Sequence, residues 1–71
     1  MCKFLEYDVI ELTSSLSGAD IPIGAHGTVL IVHPGNPAAY VIEFVSDDGS
    51  TLGVETIDED KLRLVIRPAN T

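Results

Sequence analysis

Few side chains in this sequence could carry chemistry. They are Cys2, the histidines His26 and His33, the serines Ser14, Ser15 and Ser17, and carboxylates at Glu11, Glu43, Glu55, Asp58, Glu59 and Asp60. Nucleophilic catalysis needs a Ser or Cys held beside a His and a carboxylate. Cys2 is the second residue, where chains commonly fray, and the serines fall in one loop with no elbow-type motif. Their plainer role is to solvate that loop. A zinc site needs ligands at defined spacings. His26 and His33 lie on or beside one strand with odd spacing, which predicts opposite faces. Asp58, Glu59 and Asp60 offer oxygen ligands, but the calcium-loop pattern is absent. Acid–base work needs two carboxylates facing across a cleft. Glu11, Glu43 and Glu55 each fall in a predicted strand, on outward positions that water would solvate. The glycines are spread through turns, and no helix follows them to offer its N-terminus to a phosphate. The residues therefore predict no enzyme, no cofactor and no metal.

The elements that position these residues are short strands. With 71 residues the chain is read as one domain, 1–71, with its core from about residue 7 to 66 and flexible ends. A chain of this size hides only roughly 60% of the surface its unfolded form exposes. Tyr7–Thr13 is β-branched and partly alternating and reads as a first strand. A loop from Ser14 to Gly24 follows. Gly27–His33 reads as a second strand, rich in Val, Ile and Thr. His33-Pro34-Gly35-Asn36-Pro37 stops it. Ala39–Ser46 is a third strand, whose Tyr40, Ile42 and Phe44 alternate onto a core face. Asp47-Asp48-Gly49-Ser50 closes a hairpin, and Thr51–Thr56 is a fourth strand. The charged stretch Asp58–Lys61 between Ile57 and Leu62 suits one surface turn of 3₁₀-helix. Leu62–Ile66 is a fifth strand, and Pro68 to Thr71 a fraying tail. This order predicts an all-β, five-stranded SH3-like barrel with one 3₁₀ turn before the last strand. An OB-fold would need a helix between its third and fourth strands, and the tight Asp48-Gly49 turn leaves no place for it. Closure of the barrel would remove exposed sheet edges.

Charge narrows the partners. Four Lys/Arg against eleven Asp/Glu give a net charge of -7. Phosphate backbones are held mainly by Lys and Arg, so nucleic acid is disfavoured, as is an anionic membrane surface. A basic protein partner fits, and so does plain solubility. A single cysteine forms no internal disulfide, and no apolar run approaches the roughly 20 residues that span a bilayer. Together with the charged first residues, this predicts a cytoplasmic protein.

Four stretches carry a family resemblance: Tyr7-Asp8-Val9-Ile10-Glu11-Leu12, Ile23-Gly24-Ala25-His26-Gly27-Thr28-Val29, Tyr40-Val41-Ile42-Glu43-Phe44 with Asp48-Gly49, and Asp58 to Arg63. They resemble a bacterial family of small proteins catalogued as a domain of unknown function, number 4926. The middle motif there usually reads Gly-Asp-x-Gly-Thr-Val. Here Ala25 takes the acidic position. Gly24 and Gly27 are read as a corner that turns the chain into the second strand. The resemblance implies an SH3-like fold, no established activity, and a role as companion of other bacterial proteins, toxin-like ones included. The same glycine motif is similar to that of KOW-type domains.

The first functional expectation is a protein-binding module. Its contacts are Asp20, Ile21, Pro22 and Ile23 of the long loop, Tyr7 nearby, and Pro34 and Pro37 of the next turn. Ile21 and Ile23 either anchor a partner or plug the barrel end. The second is KOW-like RNA or ribosome binding through Lys61, Arg63 and Arg67, with Lys3 the remaining base. Two tyrosines and two phenylalanines make a thin stacking platform. The third is self-association, with Leu62–Ile66 pairing with its copy to form a homodimer.

Overall fold

Tyr40, Ile42 and Phe44 lie on one face of the third strand and are all fully buried, so the alternation in Ala39–Val45 does set the core face. In the computed structural model, which describes residues 2–68, the strands are β1 (Val9–Leu12), β2 (His26–His33), β3 (Ala39–Val45), β4 (Thr51–Asp58) and β5 (Leu62–Ile66). A 3₁₀ turn, Glu59–Lys61, precedes β5. All pairings are antiparallel, in one sheet of order β4-β3-β2-β1-β5. Among the described residues there is no α-helix, and none is long and apolar enough to cross a membrane. This is the all-β class expected, in an order compatible with an SH3-like barrel. Register shifts in the β1–β5, β2–β3 and β3–β4 pairs bend the sheet around its core.

The structure corrects several boundaries. Closure does not remove the sheet edges: β4 and β5 are the end strands and do not pair with each other. The first strand starts at Val9, because Tyr7 adopts φ 72 and turns the chain. Asp8 then points inward. β4 runs on to Asp58, since Ile57 pairs with Tyr40 and is buried. Gly24, at φ 93, makes the corner alone. Gly27 lies inside β2, where a Cβ would sit 2.5 Å from Ile42 and 2.9 Å from the Glu43 carbonyl. Its role is close approach.

Residues near both ends of the described segment are anchored. Phe4 is buried, before the expected start of the core, and meets the Tyr40 ring edge-on at 5.3 Å. Cys2 packs partly buried against the core, so it does not fray. Arg67, placed in a flexible end, donates to the Asp8 carboxylate at 2.8 Å and to the Lys3 carbonyl at 3.2 Å. Pro68 is exposed, and Thr71 lies outside the described residues.

Candidate interaction groove

The loop between β1 and β2 builds one wall of a groove. Its end is pinned by three backbone hydrogen bonds. Gly24 N–H donates to the Leu12 carbonyl, Leu12 N–H to the Ala25 carbonyl, and Ala25 N–H to the Pro22 carbonyl. Pinning sends the two loop isoleucines different ways. Ile21 is buried, and its Cδ1 lies 3.7 Å from where a Cβ on Gly53 of β4 would sit. Ile23 is 61% exposed. The facing wall is the β3–β4 hairpin. Asp48 holds that turn, accepting from Ser46 Oγ, Ser50 Oγ and Ser50 N–H, and these bonds pull its carboxyl down to about 2. Between the walls lies an open groove of about 650 Å³, lined by Pro22, Ile23, His26, Val45, Asp47 and Leu52 among others. Leu52 is 40% exposed. The groove therefore offers apolar contact beside one carboxylate and one imidazole. That chemistry matches an apolar side chain with a cation next to it.

The seven candidate contact residues are not brought together. Pro22 and Ile23 line the groove, and exposed Asp20 precedes it in the loop. Ile21 plugs the core. Tyr7 is exposed, but its N–H donates to the Val29 carbonyl and it does not line the groove. Pro37 lines a second, smaller depression of about 380 Å³ with Lys3, Asn36 and Glu59. Exposed Pro34 lines neither. The two depressions sit at opposite ends of β3, roughly 20 Å apart at about 3.3 Å per residue. Val45, Asp47 and Leu52 were missed by the sequence reading. Leu52 falls at the register shift between Phe44 and Val45, which no sequence pattern announces.

Two side-chain placements also differ from expectation. His26 pairs with Val45 and His33 with Ala39, both on the outer register of β3. The histidines thus share a face, because the shift between Val29 and Ile31 inserts one extra residue and resets the alternation. They remain at the two ends of β2, too far apart for one ion. Glu55 stands opposite Ile42, an inward register position, and is half-buried. Glu11 and Glu43 do face outward, and Glu11 pairs with Arg63. Among the described residues no group of three His, Cys, Asp or Glu is arranged to hold a metal ion.

Beneath the second depression lies a hydrogen-bonded clasp. The Tyr40 hydroxyl donates to the Glu59 carboxylate and accepts from Phe4 N–H at 3.2 Å, while Lys3 N–H donates to Glu59 at 2.8 Å. Burial first, then donation to Glu59, pushes Tyr40 up to about 12. The same hydrogen bond holds Glu59 below its ordinary value. A raised tyrosine pKa means the fold stabilises the neutral hydroxyl. That stability is fully present below pH 10, the ordinary value, and is lost as pH rises through about 12. A near-ultraviolet absorbance titration is expected to show one tyrosine ionising near pH 12, and Tyr40→Phe to remove that step. A Tyr40 step at the ordinary value would show the clasp to be absent.

Fold and groove define a small all-β domain with an open groove at one end of its sheet. The family model for the domain of unknown function DUF4926 matches residues 6–64, and the chain belongs to that family. All four motif stretches lie within the match, whereas Phe4 and Arg67 lie outside it. No curated protein matches the chain.

Proposed function

We propose that this chain is a non-catalytic protein-binding module that receives an apolar side chain of a basic partner in the groove between the Pro22–His26 loop and the β3–β4 hairpin. The observation that supports it is the pair of exposed apolar side chains, Ile23 and Leu52, facing the same groove beside Asp47. Apolar anchors with a charged rim are the usual make-up of a binding surface. The net charge of -7 would speed encounter with a basic protein. A basic toxin-like protein held by its acidic companion is one form such a pair would take. RNA binding is less well supported: Arg63 and Arg67 are each committed to a carboxylate, Glu11 and Asp8.

The test is a tagged pull-down from the native host, with and without nuclease, alongside the double variant Ile23→Ser/Leu52→Ser. The expected result is one stoichiometric basic protein that survives nuclease, with affinity at least about tenfold weaker for the variant, the effect of losing roughly 1.4 kcal/mol of anchor contact. Both side chains are exposed, so the variant should keep its thermal midpoint. Recovery of ribosomes or RNA that nuclease removes would overturn this reading and direct mutagenesis to Lys61, Arg63 and Arg67.

A further inference from the structure

Residues 39–60 carry Glu43, Asp47, Asp48, Glu55, Asp58, Glu59 and Asp60 and no Lys or Arg. The bases lie elsewhere, at Lys3, Lys61, Arg63 and Arg67. The acidic stretch includes an end strand, β4, which is eight residues long and, among the described residues, hydrogen-bonds along β3 alone. Among those residues, nothing pairs with the N–H and C=O groups of its other edge. Natural edges are commonly guarded by Lys, by Pro or by being short. β4 has neither Lys nor Pro in Thr51–Asp58. What it has instead is Glu55 at an inward register position. An inward carboxylate on an edge strand repels a second copy, which brings the same carboxylate, but not a strand that brings a lysine. Val54, on the other face, is 51% exposed. Leu52, the second residue of β4, lines the groove, so groove and edge are continuous.

We propose that the free edge of β4 takes up an extended basic segment of the partner as an added antiparallel or parallel strand. The segment hydrogen-bonds to the main chain of Thr51–Asp58. Its lysines lie on the Glu55 face and its apolar side chains beside Val54. This deepens the protein-binding reading and rests on it.

The test uses the ¹⁵N-labelled full chain and a short alternating Lys-Val peptide, with a Glu-Val peptide as control. Saturable amide shifts and slowed hydrogen exchange are expected across Thr51–Asp58 with Lys-Val and not with Glu-Val. The variant Glu55→Gln/Asp58→Asn is expected to bind about tenfold more weakly. Shifts confined to Pro22–His26 and Asp47 would overturn the edge proposal and leave the groove reading standing. Shifts on Leu62–Ile66, or none at all, would also overturn it, while the pull-down reports separately on whether a protein partner exists. Equal binding of Glu-Val, or unchanged affinity in the variant, would remove the basic character of the segment. Shifts on Thr51–Asp58 that grow with protein concentration alone would assign the edge to a second copy and overturn the proposal.

Discussion

Replacing Arg67 with alanine is expected to cost about 3 kcal/mol at pH 7, because it leaves the Asp8 carboxylate buried without its cation. The Asp8 side chain is 1% exposed and that of Arg67 44% exposed. The asymmetry decides which partner matters. Freed Arg67 would turn to water at little cost, whereas freed Asp8 would stay inside. Asp8→Asn is therefore expected to cost less, about 1–2 kcal/mol, for the lost charge-assisted hydrogen bonds. For a domain of this size, 3 kcal/mol corresponds to a fall of roughly 12–24 °C in thermal midpoint.

Wild type and Arg67→Ala should also respond differently to acid. Burial pushes the Asp8 carboxyl up, but the Arg67 hydrogen bonds, the Leu5 N–H and the Arg67 charge outweigh it and leave Asp8 below 3.8. A lowered carboxylate stabilises the fold above its ordinary value. That contribution is lost as pH falls from 3.8 through the lowered folded value. In Arg67→Ala, burial is opposed by the Leu5 N–H alone. The variant's deficit should then shrink as pH falls and Asp8 takes up a proton. Urea unfolding of wild type, Arg67→Ala and Asp8→Asn at pH 7 and pH 4 checks this. Equal losses in both variants at both pH values would show that Asp8 is solvated, and would sink the argument.

Gly27→Ala is expected to be as damaging, at about 3 kcal/mol. The new methyl would meet the Ile42 methyl at 2.5 Å, the Glu43 carbonyl at 2.9 Å and the Phe44 ring at 3.0 Å. Two of these neighbours are fully buried and one is backbone, so none can step aside cheaply. Gly24→Ala makes the comparison. Gly24 has the positive φ of 93, but only Glu11 Oε2, at 3.8 Å, lies near its added Cβ. Its cost is backbone strain, about 1–2 kcal/mol. Thermal unfolding should rank Gly27→Ala clearly below Gly24→Ala. The reverse order would mean that β2 and β3 can separate locally without loss, contrary to close packing at Gly27.

Much of this fold was legible in the chain. Period-two alternation in Ala39–Val45 named the core face, because a strand sends successive side chains to opposite sides. Gly49 and the prolines of residues 34–37 marked the turns. The charged run before Leu62 marked the 3₁₀ turn, and β5 begins and ends where its apolar run does. All of these are local, set by steric preference within a few residues.

Only the tertiary structure could decide contacts between residues far apart in the chain. Phe4 reads as an isolated aromatic until Tyr40 is placed against it. Asp8 reads as a strand residue until Arg67, 59 positions later, is brought to it. The β-bulges moved His33 onto the face of His26 and put Leu52 at the groove. A bulge is a property of a strand pair, so neither strand's own sequence reveals it. The split between buried Ile21 and exposed Ile23 has the same origin: both isoleucines are equally apolar, and hydrogen bonds from the pinned loop to β1 decide which one packs and which one meets solvent.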